Sequence, residues 1–461
     1  MMKRTPFLLL ALTILMILDS CSNSGNGELV GVRKKSKGFY QPDPYGMVFV
    51  PQGSFTMGTG DQDITYGALN QPKTVSVSPF FMDETEITNN EYRQFVNWVR
   101  DSIARWMLYD NGIYDPPFVL TETKKGVIID PPKVNWKEDI PWTTDDVDVQ
   151  AALEDMYLPE HERYFRRKEV NTRKLYYEYY WVDLVAAARK DHSVDGNPED
   201  GMYSNRPQGM RDRSVYVRKE IINVYPDTLV WIHDYTYSFN DPMTEKYFWH
   251  PAFDHYPAVG VNWLQARAFC IWRTELRNGY LRSKKGEYAV AEFRLPTETE
   301  WEWAARGGYE MSPFPWGGPY TRNDKGCFLA NFKPLRGNYI DDGGIRTVIV
   351  AHYPPNDWGL YDISGNVAEW TNSAFDPVSY NFTWDMNPNY TYNAKESDPP
   401  AMKRKVIRGG SWKDIAYYLQ VSTRAYEYQD TAKCYIGFRC IQPFLGRSKD
   451  DNPARASKIY N

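Results

Sequence analysis

The sequence predicts an α+β fold that is loop-rich and low in regular secondary structure. Short runs alternate apolar and polar residues, helical segments open on capping residues, and stretches rich in Gly, Pro and Asp separate them. Aromatic residues make up 16% of the chain, with 35 Tyr and 16 Trp, which suits a core built from large amphipathic rings. With 461 residues the chain exceeds an average domain, yet one core carrying insertions accommodates it. A hydrophobic share of 42% excludes wholesale disorder, and a net charge of -5 offers no electrostatic attraction for nucleic acid.

The first 20 residues read as a bacterial lipoprotein signal peptide. Lys3 and Arg4 precede an apolar run from Phe7 to Leu18, and Leu18-Asp19-Ser20-Cys21 forms the cleavage box. Cys21 is the expected lipidation site, and each buried acyl CH₂ contributes about 0.8 kcal/mol, so two or three chains anchor the protein on a membrane. Residues 21–45 read as a lipidated flexible tether with a basic cluster at Arg33, Lys34, Lys35 and Lys37. Export puts the other four cysteines, Cys270, Cys327, Cys434 and Cys440, in an oxidising compartment, where two disulfides have three possible connectivities.

From residue 46 the pattern becomes that of a folded domain extending to 444, with a polar tail at 445–461. Met47 to Val50 and Gly53 to Gly58 read as a hairpin, and Val75 to Met82 as a further strand. Thr88 or Asn89 caps a helix whose apolar face holds Tyr92, Phe95, Val96 and Val99. Residues 101–247 form a Tyr-rich insertion containing YYEYYWVDL, in which Val215 to Val224 and Thr228 to Tyr237 read as a second hairpin. Leu264 to Arg277 is helical, and Thr297 with Glu300 forms a capping box for a helix closed by Gly307 and Gly308. Near the end, Arg408-Gly409-Gly410-Ser411-Trp412 reads as a strand ending where two backbone segments approach closely. Gly437-Phe438-Arg439-Cys440 follows, with the ring and the guanidinium placed to pack back.

This RGGSW and GFRC block, together with MVFVPQGSFTMG, DETEIT, RLPTETEWE and SGNVAEW, resembles the formylglycine-generating-enzyme, or sulfatase-modifying-factor, family. The resemblance covers about 47–100 and 256–444 and implies a formylglycine-generating-enzyme-like, C-type-lectin-related fold. It also implies a bridge between Cys270 and Cys440, leaving Cys327 with Cys434. Two structural calcium sites are implied as well. One uses Asp362, Glu369 and the carbonyls of Gly365 and Val367; the other uses Asn331, Asp342 and the carbonyls of Phe332 and Gly344.

The family's oxidases convert cysteine to formylglycine with copper held by two thiolates, a soft-ligand site. Those positions here hold Asp414 and Leu419, so no copper is expected, and Ala368 stands where enzymatic members carry a cleft-lining Trp. The six histidines lack the HxxxHxE spacing of the family's iron-dependent branch. No catalytic residue is expected.

Across nearly its full length, including DPYGMVFVPQGSF, YYWVDL, YPDTLVWIHDYTYSFNDP and KYFWHPAFDHYP, the chain is similar to the GldK family, called PorK in non-gliding species. That resemblance implies an outer-membrane lipoprotein facing the periplasm, without catalysis. It implies self-association in a ring with the partner GldN or PorN, among the other components of the type IX protein secretion and gliding apparatus. The alternatives are a GldJ-like sister lipoprotein, a glycan- or peptide-binding module, and a divergent oxidase holding a harder metal through Asp414 and a histidine.

Overall fold

The computed structural model describes residues 41–58, 71–123, 125–188, 216–284, 288–334, 338, 340 and 343–446. The chain divides into two units, residues 1–40 and 41–461, and every described residue belongs to the second. Cys21 and Asp342 lie outside the described residues, as do the tether up to Tyr40 and the tail from 447.

Two sheets meet at the C-terminal end of the chain. β1 (Met47–Val50) and β13 (Ile441–Pro443) flank β4 (Phe80–Asp83) in antiparallel register, with Met47 opposite Asp83 and Ile441 opposite Met82. The second sheet has the order β11 (Ala425–Tyr428), β10 (Arg404–Arg408), β9 (Ala368–Ala374), β12 (Ile436–Gly437), and its last pair is parallel. Three two-stranded ribbons complete the set: β2 (Gly53–Met57) with β3 (Lys73–Val77), β5 (Val119–Glu122) with β6 (Ile128–Val134), and β7 (Tyr176–Val182) with β8 (Val217–Asn223).

Neither expected hairpin forms. β1 pairs with β4 and β2 with β3, because the run read as one strand from Val75 to Met82 breaks at Ser78-Pro79. A proline has no N–H for the ladder, so the chain leaves one sheet there and enters the other. In the Tyr-rich segment, β8 pairs with the distant β7, while Val230–Asp234 is helical and buries Val230 and Trp231. Alternation along β7 decides this: Tyr177 and Tyr179 point into the main core, and Tyr176, Glu178 and Tyr180 point out. Trp181 Nε1 donates to Glu220 on β8 at 2.6 Å, and the Tyr179 hydroxyl donates to the same carboxylate. Long-range burial of two rings outweighs a local turn at Pro226.

The helix starts follow their caps. In the Asn89–Asp110 helix, Thr88 accepts from the Glu91 amide and Glu91 reaches back to Thr88. The Trp263–Ser283 helix, six residues longer at its C-terminus than the expected segment, has the same reciprocal arrangement between Asn262 and Gln265. The Glu298–Arg306 helix uses Thr297 and Glu300 and ends at Gly307, whose φ of 58° places it in the left-handed region. The first two helices pack through Tyr92 and Phe269, stacked at 5.7 Å between centroids, and Phe438 closes on Phe269 edge-on at 5.4 Å.

β10 carries a fully buried lysine. Lys405 Nζ donates to the Tyr392 carbonyl at 2.8 Å and lies 3.8 Å over the Trp263 ring. Burial, reinforced by nearby Arg267, pushes its ammonium down to about 7. Between that value and the ordinary lysine value, the unfolded chain holds a proton that the native chain has released, so native stability rises with pH. Unfolding midpoints at pH 7, 8 and 9 are therefore expected to show a Lys405-dependent gain of about 1 kcal/mol per pH unit. The gain is fully present above the unfolded lysine's range, is lost as pH falls to about 7, and is absent in Lys405→Met.

Candidate functional site

β10 ends at the glycine pair, and the close approach is real. Gly409 has φ +92°, and a Cβ there would meet the Ile363 carbonyl at 3.0 Å. Gly410 has φ +67°, and a Cβ would meet the Tyr418 carbonyl at 2.7 Å. The residues before and after the pair are buried. Arg408 Nη2 donates to Glu302 at 2.6 Å, and Ser411 Oγ donates to Asp414 Oδ2 at 2.6 Å.

The two thiolate positions face different surroundings. Leu419 is completely buried in an apolar cluster with Phe314, Ala330 and Phe332. Asp414 stands at the end of the seam, where burial pushes its carboxyl up against the hydrogen bonds from Ser411. Its backbone carbonyl accepts from the Lys333 amide at 2.8 Å. Nothing in this pair supplies soft ligands.

The cysteines are elsewhere, and all four are thiols. Cys270 and Cys440 meet at 3.4 Å between sulfurs inside the main core, so the expected partners are neighbours. Cys327 and Cys434 are not brought together. Cys327 is exposed in a turn held by Asn323, whereas Cys434 is buried and its thiol donates to Asp234 Oδ2 at 2.7 Å.

The loop from Asp362 to Glu369 forms a buried charge cluster. Glu369 is fully enclosed, accepting from Arg439 Nε at 2.8 Å, from Arg439 Nη2 at 2.6 Å and from Trp301 Nε1 at 2.7 Å. Both of its carboxylate oxygens thus serve protein donors. Asp362 fits better. Its Oδ2 accepts from the Ala351 amide at 2.6 Å, and its Oδ1 is buried without a partner. Glu86, which the sequence presented only as part of a helix lead-in, is completely buried as well. Glu86 Oε1 accepts from Asn366 Nδ2 at 3.1 Å, and Oε2 has no partner.

Three carboxylates and one guanidinium thus share a buried space, leaving two negative charges in excess when all are ionised. Burial pushes both of the other carboxyls up, Asp362 to about 6 and Glu86 well above the usual carboxylate range, and for Glu86 the charge of Asp362 adds to it. The orphaned oxygens of Asp362 and Glu86 are the donors a hard divalent cation accepts. In the second expected site Asn331 is buried, and its amide donates to the Arg346 carbonyl at 2.7 Å. Among the described residues no cluster of three or more His, Cys, Asp or Glu has metal-binding geometry.

Beside the glycine pair lies a cavity of about 170 Å³. Ala368, Gly409, Asp414, Tyr418, Tyr426 and Tyr435 contribute to its wall. Ala368 on β9 leaves this space open, which is the structural effect of a methyl where a Trp was expected of an enzyme.

The glycine seam, the enclosed Glu369–Arg439 pair and the capped Glu298–Arg306 helix define a sulfatase-modifying-factor type of body. The family model for the sulfatase-modifying factor enzyme 1-like domain matches residues 33–192 and 219–443, and the chain belongs to this formylglycine-generating-enzyme family. Among relatives, the bovine "Inactive C-alpha-formylglycine-generating enzyme 2" is 35% identical over 191 residues, covering 40% of this chain and 50% of the bovine protein. The bovine "Formylglycine-generating enzyme" is 26% identical over 409 residues, covering 87% of this chain and 76% of that protein. The chain thus spans about half the length of the first of these curated relatives. The solved structure of PvdO from Pseudomonas aeruginosa shares 17% identity over 89% of this chain and 100% of its own, with a TM-score of 0.43.

Proposed function

We propose that the chain is a non-catalytic member of its family, serving as a lipid-anchored scaffold. The observation that carries this reading is Leu419, which stands at a thiolate position and is sealed in apolar packing with Phe314, Ala330 and Phe332. Asp414, at the other position, is hydrogen-bonded to Ser411 and offers a hard oxygen in place of a soft sulfur. The similarity to a bovine relative named as inactive supports the same direction.

In this reading Cys21 is acylated, and the body is held on the periplasmic face of an outer membrane. It assembles with copies of itself and with a GldN- or PorN-type partner in the type IX secretion and gliding apparatus. Ring closure requires heterologous contacts between copies. Exposed rings of the Tyr-rich segment, among them Tyr164, Tyr176, Tyr180 and Tyr237, supply anchors of the type that dominates protein interfaces. Calcium, where bound, is structural: Asp362 and Glu86 hold it, and its charge offsets the cluster's excess.

Two measurements test this. Tagged protein extracted from envelope membranes is expected in large complexes with a co-purified partner, and Cys21→Ser is expected to leave the membrane fraction. A monodisperse full-length monomer in mild detergent, with secretion intact in the deletion strain, contradicts the scaffold. Metal analysis of protein purified without chelator is expected to find about one calcium per chain, lost in a Glu86→Gln, Asp362→Asn double variant. Folded wild-type protein free of calcium contradicts the metal assignment.

A further inference from the structure

The cavity beside the glycine pair carries chemistry that the loss of thiolates does not explain. At about 170 Å³ it has room for a side chain, and its wall combines rings with a carboxylate. Tyr418, Tyr426 and Tyr435 present aromatic surface, and Asp414 presents a carboxylate. Tyr418 and Tyr426 are partly open to solvent, at 38% and 40%, so the cavity has a mouth.

Among the described residues the other charge on its wall, Arg408, is held by Glu302 at 2.6 Å, and the neighbouring lysines are paired as well. Lys413 Nζ is 2.7 Å from Asp234, and Lys433 lies 3.9 Å from Glu427. Among the described residues Asp414 has no ion-pair partner; its hydrogen-bonding donor is the neutral Ser411 hydroxyl. An anionic group on the wall of an aromatic cavity is complementary to a cation on an apolar stem. The ring faces attract the charge, their edges and Ala368 accommodate methylenes, and the carboxylate accepts the N–H donors.

We propose that this cavity is a binding site for a lysine or arginine side chain presented by a partner polypeptide. The outer strand of its sheet, β11, contributes Ala425 and Tyr426 to the wall. Its free edge has no strand partner among the described residues, so an extended chain has backbone groups to pair with beside the cavity. The choice of a polypeptide deepens the scaffold reading and rests on it; the preference for a cation rests on the cavity alone.

The test uses the full chain in detergent micelles and ligand-observed NMR. The probes are acetyl-Gly-Gly-Lys-Gly-Gly-amide, the same peptide with Nε-acetyllysine, and n-butylamine. The lysine peptide is expected to bind saturably and at least tenfold more tightly than the acetylated peptide and the free amine. Asp414→Asn, which keeps shape and a hydrogen-bond acceptor, is expected to reduce binding of the lysine peptide to the level of the acetylated one. Tyr418→Leu, which leaves the backbone in place, is expected to weaken it severalfold. Equal binding of the charged and acetylated peptides, or unchanged binding by Asp414→Asn, overturns the cation site. Butylamine binding as tightly as the peptide overturns the polypeptide assignment. Ring assembly does not enter this assay, so its outcome and that of the membrane pull-down are read separately.

Discussion

Arg439 is the residue on which the seam depends. It is fully buried, and its guanidinium donates to Glu369 from two nitrogens, to the Asp83 and Glu84 carbonyls from Nη1, and to the Tyr361 carbonyl from Nη2. One side chain near the end of the chain therefore fastens β4, the Asp362 loop and β9. Trp301 joins through Glu369 and brings in the Glu298–Arg306 helix. Removing one partner of such a buried pair costs about 3–5 kcal/mol, because the other charge is left uncompensated. The pair's greater contribution is specificity, since only one arrangement of these loops satisfies all its donors.

A loop-rich body needs such fasteners because its sheets are small. The second charge network serves the same end: Arg408 and Arg306 meet on Glu302, and Arg408 and Arg424 on Glu298. These groups surround the Glu298–Arg306 helix and join it to β10 and to the Gly58 turn. The two positions that correspond to the family's thiolates lie at the edge of this frame. Leu419 seals one thiolate position, and Asp414 with Ala368 turns the other into an open, acidic cavity.

Signals in the sequence are legible where the physics is local. Thr88, Thr297 and Gly307 start and stop helices through bonds to residues three or four positions away, and the Gly409-Gly410 pair announces a close approach by its missing side chains. Strand pairing was not legible, because register depends on distant partners. Pro79 moves the chain between sheets, and Tyr177 and Tyr179 draw β7 to a strand well separated from it in sequence, β8. The site was legible as a set of positions but not as a set of partners. Asp362 is where the motif places it, whereas Glu369 turns to Arg439 and Glu86 enters the cluster from far away in sequence. An acid in DETEIT, two residues before the capping Thr88, is the sequence signal that points to Glu86; its orphaned oxygen is visible only in three dimensions.

The central claim is that this body has kept the family fold without the family's oxidation. The most direct measurement incubates the purified full chain with Cu(I), reductant, oxygen and a cysteine-containing peptide, and follows the peptide by mass spectrometry. No formylglycine is expected beyond the protein-free control, since Asp414 and Leu419 offer copper no thiolate pair. Formylglycine produced in proportion to the protein would contradict the claim.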